Sequence, residues 1–91
     1  MGDGVRVWLV ERTYSDDEQN LIILTYATPD GRREFRKERA LPSFSGPARE
    51  TPVSVPVDPS NLAAVEDEGT RKRYATEAAR MAEKHPPDGT L

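Results

Sequence analysis

The chain has 91 residues and not one cysteine. That excludes a disulfide framework, a thiolate metal cage and a cysteine nucleophile together. It has a single histidine, His85. A His-based metal site therefore lacks ligands, and a Ser-His-Asp device would have to rest on the last turn of a helix. No apolar run approaches the roughly 18 residues that cross a bilayer. The first ten residues, MGDGVRVWLV, have neither the basic start nor the long apolar stretch of a signal peptide, so a cytoplasmic location is expected. The six glycines form no phosphate-binding loop or dinucleotide fingerprint. At 10.2 kDa the chain accommodates one small domain.

Charge is abundant, at 32% of residues, and the net value of −3 hides its arrangement. Residues 1–31 carry six acids and two arginines, −4; residues 32–39, RREFRKER, come to +3. Residues 40–69 return to −4, and residues 70–91 to +2. A uniformly basic nucleic-acid binder does not alternate in this way, nor does an acidic disordered tail.

Residues 5–14, VRVWLVERTY, alternate and are rich in β-branched and aromatic types, which predicts a strand. Val5, Val7 and Leu9 point one way; Arg6, Trp8 and Val10 point the other. Residues 21–28, LIILTYAT, are the most apolar run and of strand length. Thr28-Pro29-Asp30-Gly31 reads as a type I turn with a glycine bulge, from which a third strand returns over 32–40. Setting Thr28 opposite Arg32 places Thr25 against Phe35, and Tyr26, Leu24 and Ile22 against Glu34, Arg36 and Glu38. A slip of one residue exchanges these faces. The charge-rich third strand is expected at an edge.

Five of the eight prolines fall between 42 and 59, which excludes a central strand or a helix interior. Val53, Val55 and Val57 alternate there and are expected along an apolar face. Asp58-Pro59 signals a helical start, with a short turn over Ser60 to Val65. A longer helix is expected from Gly69-Thr70 to about Lys84. Its buried stripe is Tyr74, Ala75, Ala78, Met81 and Ala82, opposite an Arg73–Glu77 pair, with His85-Pro86-Pro87 as its stop. Residues 1–4 and 86–91 are expected to fray. The fold class is α+β: a three-stranded antiparallel meander, a proline-rich crossing segment and a C-terminal helix packed on one sheet face.

The second strand is apolar on both faces, although one helix covers only one. A small core invites a partner, so a homodimer through the open sheet face or edge is expected, with Trp8, Ile22, Leu24 and Tyr26 at the interface. The alternative cover is the valine-bearing segment of the same chain. The other candidate surface is the third strand, where Arg33, Phe35, Lys37 and Arg39 share a face without an acid. Cations around an aromatic can hold phosphates and stack a base, with Trp8 and Tyr14 extending the platform. A net acidic chain gives such binding no long-range attraction, so nucleic acid is the less favoured partner.

Catalysis finds less support. Asp16, Asp17 and Glu18 crowd one loop, and Glu66, Asp67 and Glu68 another, but neither has the alternate spacing of a calcium loop. Ser43 and Ser45 beside Gly46 lack a partnered base. Arg71-Lys72-Arg73, in the first turn of the long helix, is expected to be balanced by the acids at 66–68. No metal, cofactor or catalytic residue is assigned. The reading is a non-catalytic interaction module, with anion binding through the third strand as the alternative.

The stretch VWLVERTYSDDEQNLIILTYATPDGRREFRKERAL, followed by RYATEAARMAEKH, resembles a group of small haloarchaeal proteins with no assigned function. The resemblance implies a cytoplasmic protein in concentrated salt. There the Debye length falls to about 3 Å and surface ion pairs and RNA binding weaken.

Overall fold

The computed structural model describes residues 4–15, 21–40 and 51–90. Seven elements follow one another: β1 (Val5–Ser15), β2 (Leu21–Ala27), β3 (Arg33–Ala40), β4 (Ser54–Val57), a 3₁₀ turn (Pro59–Asn61), β5 (Ala63–Ala64) and α1 (Glu68–Lys84). The strands form one antiparallel sheet in the order β4-β1-β2-β3-β5, with α1 packed on it, chiefly against β1. The α+β class and the three long antiparallel strands are as expected. Two short edge strands are additional. β4 contains Pro56, whose missing N–H an edge position tolerates. β5 has two residues and pairs with Arg33 and Glu34, so the third strand is flanked at its start. The prolines at 42 and 47 lie outside the described residues.

The hairpin register is slipped by one residue from the expected one. Tyr26 faces Phe35, Leu24 faces Lys37 and Ile22 faces Arg39. The cause is the turn. The Gly31 N–H donates to the Thr28 carbonyl (2.8 Å), as a type I turn requires, and Gly31 takes φ 72°. Arg32, however, is drawn out of the ladder. Its N–H donates to the Asp30 carboxylate (3.0 Å), and its carbonyl accepts from the Val65 N–H (2.8 Å). Thr28 therefore closes the hairpin with Arg33 (3.0 Å).

A second irregularity sits in β1, where the pairing jumps from Leu9 to Glu11 and leaves Val10 as a bulge. A bulge inverts the alternation beyond it. Trp8 and Val10 both reach the helix side, while Arg12 and Tyr14 join the face of Val7 and Leu9.

The core has two layers. On the helix side Trp8 and Val53 pack with Ala78, and Ala27 and Val65 with Tyr74. On the other face lie Val7, Leu9, Ile22, Leu24, Tyr26 and Val57, with Phe35, Val55 and Leu62 against them. Val53, expected beside Val55 and Val57, precedes β4 and turns to the helix side instead. The buried helical residues are Tyr74 and Ala78; Ala82, expected in the stripe, is exposed. Asp67 caps α1, accepting the Thr70 N–H at 2.8 Å, and His85 ends it through its N–H to the Met81 carbonyl. Beyond it the chain returns to the sheet: the Val53 N–H donates to the Gly89 carbonyl (3.0 Å), and Pro52 bridges Thr90. The expectation of fraying thus meets a backbone tie, which one sequence window does not reveal. No described helix is long and apolar enough to cross a membrane.

Candidate functional site

The register and the bulge together decide which side chains meet. Opposite residues of neighbouring strands share a face, so Arg33, Phe35, Lys37 and Arg39 of β3 lie with Ile22, Leu24 and Tyr26 of β2 and with Arg12 and Tyr14 of β1. The two candidate surfaces read from the sequence are thus one face, apart from Trp8. Trp8 pairs with Ala27 on the opposite face, under α1.

The residues chosen for a dimer interface are interior. Trp8, Ile22, Leu24 and Tyr26 are 8%, 4%, 0% and 1% exposed within a single chain. The premise of an uncovered apolar face does not hold. Part of the cover is visible: the Tyr26 hydroxyl donates to the Pro52 carbonyl at 2.8 Å, an Arg39 terminal nitrogen donates to Thr51 Oγ1 at 3.1 Å, and Leu62 packs on the cluster. Burial raises the Tyr26 pKa, against the field of Arg39, so the phenol stays neutral.

Phe35 is half-buried, with its ring centroid 6.3 Å from that of Tyr26, and is not an open stacking platform. Among the described residues the exposed aromatic is Tyr14, at 58%. With β2 buried between them, the cations stand along two rims. Arg12 and Tyr14 lie on the β1 side; Arg33, Lys37 and the half-buried Arg39 lie on the β3 side. No described residue of β1–β4 on this face is acidic. Glu11, Glu34 and Glu38 all fall on the helix-side face with Arg6 and Arg36. There, Glu34 pairs with Arg36 at 3.1 Å, and Glu11 pairs with Arg73 at 3.5 Å and lies 3.4 Å from the Tyr74 hydroxyl. Glu34 raises the Arg36 pKa further.

The helical charges differ from expectation in two respects. Glu77 pairs with Arg80 (3.6 Å) and not with Arg73, which reaches across to β1. Arg71, Lys72 and Arg73 form no close ion pair with the acids at 66–68 among the described residues, although the charge of Arg71 helps to lower the Asp67 pKa, in line with the expected balance. Arg71 Nε donates instead to the Val65 carbonyl. Each described carboxylate with a lowered pKa caps its own turn: Thr28 and the Arg32 N–H lower Asp30, Ser60 lowers Asp58, and Thr70 lowers Asp67. No group of three His, Asp or Glu able to hold a metal occurs among the described residues. Asp16, Asp17, Glu18, Ser43, Ser45 and Gly46 lie outside them.

Sequence reasoning missed Arg12 as a companion of Lys37, because a one-residue bulge leaves no composition signal. It also missed Arg32, whose only hint is its place directly after the turn glycine.

Over residues 1–91 the chain matches DUF7967, a family of unknown function, and belongs to it. No curated protein and no solved structure matches it. The family match carries an unassigned function and says nothing of a haloarchaeal source.

Proposed function

We propose that this chain is a small non-catalytic interaction module whose working surface is the cationic face of its sheet, and that its partner is an acidic protein segment. One observation carries the reading. The strands sort their charges: among the described residues of β1–β4, Arg12, Arg33, Lys37 and Arg39 share one face with no acid, and the glutamates of β1 and β3 lie on the other. Arg12 and Lys37 have no ion-pair partner among the described residues. An acidic segment lying beside Arg12 or Lys37 gains these two cations without displacing a described ion-pair partner of either, and Tyr14 offers apolar contact beside Arg12. A net charge of −3 argues for a local protein contact over nucleic acid, which is drawn by long-range positive potential. Self-association, the other expectation, has less to stand on. Its face residues are interior, and β4 and β5 already pair the outer edges of Val5–Trp8 and Arg33–Glu34.

The test is fluorescence anisotropy at low salt with a labelled oligoglutamate peptide and, separately, a mixed-sequence single-stranded RNA. Peptide binding that weakens with salt and disappears in the Arg12→Glu/Lys37→Glu variant is expected. Binding of RNA alone would transfer the face to nucleic acid. No binding of either probe would remove the proposal.

A further inference from the structure

We infer that the cleft between the β2–β3 turn and the first two turns of α1 is a phosphoryl-anion site, separate from the sheet face. The cleft is lined by Asp30, Arg32, Glu68, Arg71, Lys72 and Ala75, and its free volume of about 240 Å³ is several times the ~30 Å³ share of one water. Three of the six lining side chains are cationic, and they come from two elements far apart in sequence.

One buried residue brings them together. The Val65 N–H donates to the Arg32 carbonyl, and the Val65 carbonyl accepts from Arg71 Nε. Val65 is itself locked under Tyr74 and Ala27. The turn can lie this close only because residue 31 is glycine: a Cβ there would stand 2.1 Å from the Arg71 carbonyl oxygen.

Fixing Arg71 through Nε sets the plane of its guanidinium and leaves the two terminal nitrogens to act as a fork. That geometry suits a tetrahedral oxyanion, and its ordering cost is met in the fold before any ligand arrives. Arg32 and Lys72 are exposed and make no ion pair among the described residues. Asp30 is turned to its own hairpin by the Thr28 hydroxyl (2.6 Å) and the Arg32 N–H. Three carboxylates compete with a ligand: Asp30, which attracts Arg32; Asp67, which attracts Arg71; and Glu68, one helical turn before Lys72. The site thus takes a compact dianion, a phosphate or the phosphoryl group of a small metabolite, held by Arg32, Arg71 and Lys72 in competition with these carboxylates.

The experiment is a ¹H–¹⁵N NMR titration of the whole chain with inorganic phosphate, at ionic strength held constant with sodium chloride. Saturable shifts are expected at the Gly31, Arg32, Arg71 and Lys72 amides and at Arg71 Nε–H. Lys72→Ala should weaken binding about fivefold, the upper range for one exposed charge pair. Glu68→Gln should tighten it, and Arg80→Ala, on a different part of the helix, should leave it unchanged. Shifts that rise without saturating, or that fall equally on Arg80 and Lys84, would overturn the site. So would equal affinities for Lys72→Ala and the unmodified chain.

Discussion

Replacing Gly31 with alanine tests the joint between hairpin and helix, and its cost can be worked out in parts. Gly31 has φ 72°, in the left-handed region, where a side chain costs about 1–2 kcal/mol. The new methyl would also stand 2.1 Å from the Arg71 carbonyl oxygen and 2.8 Å from the Ala75 nitrogen. Both are helix backbone and cannot swing aside as a side chain tip would. Overpacking of this kind costs about 1–3 kcal/mol. Against this, alanine restricts the unfolded chain, a gain of about 0.4–1 kcal/mol. A net loss of roughly 2–4 kcal/mol follows, out of a total of roughly 5–15 for such a domain. With a urea m-value of about 1.5 kcal/mol/M, the midpoint falls by roughly 1.5–2.5 M. Gly31→Asn separates the two causes, since asparagine tolerates positive φ but carries the same Cβ. It should fare about as badly as alanine. An Asn variant near the unmodified midpoint would show that φ alone matters and that the turn does not press on the helix. An unchanged midpoint for alanine would refute the close approach altogether.

Two further outcomes check other parts of the structure. Leu24→Ala should cost about 2–5 kcal/mol in urea denaturation, as for a fully buried leucine, while Tyr14→Ala on the same face stays within about 0.5; equal effects would contradict the assigned burial. Thr28→Val removes both the hydroxyl on Asp30 and the acceptor of the Arg33 N–H (3.2 Å), for a loss of about 1–2 kcal/mol near neutral pH. Because Asp30 is held below the ordinary carboxylate range, its contribution is present above the unfolded pKa of about 3.9 and fades as pH falls through the folded value. The Thr28→Val penalty should therefore shrink in acid; a penalty that grows with falling pH would reverse the assigned sign.

How much of this was legible follows from where each decision is made. Strand positions, the type I turn and the helix lie in local pattern. Leu21 to Ala27 form a nearly unbroken apolar run of strand length, Pro29 and Gly31 occupy turn positions that favour them, and Asp67 stands where a helix needs a cap. The faces within β3 and the first half of β1 were legible, but how the faces of neighbouring strands combine was not, because that depends on a single residue's partner elsewhere. Arg32 leaves the ladder for Val65, 33 positions on, and that contact sets the whole β2–β3 register. β4 and β5 were hidden too, since the prolines around the alternating Val55 and Val57 argue against a strand, two alanines carry no pattern, and their pairing is supplied by β1 and β3.

The slip and the bulge also bear on each other. Under the expected register, Arg33, Lys37 and Arg39 would share their face with Ile23 and Thr25, and Ile22, Leu24 and Tyr26 would lie with Glu34, Arg36 and Glu38. The core face would then carry two carboxylates beside its largest apolar groups. The observed slip moves both acids to the helix side, where Glu34 finds Arg36, and gives the core face only cations, whose long stems can cover apolar surface while their heads stay wet. Without the bulge, Glu11 and Thr13 would stand in that same face. With it, Glu11 is carried to Arg73 and Tyr74, and Arg12 takes its place. Two irregularities of one residue each therefore act in the same direction. They clear carboxylates from the face that buries Leu24 and leave a rim of arginine and lysine around it, so the cationic surface arises where the core demands side chains of mixed character. Arg12→Glu separates the two origins. If the cations serve only as apolar cover, a stem of similar polarity but shorter length should cost stability without altering any binding; if they serve a partner, oligoglutamate affinity should fall while the urea midpoint moves little.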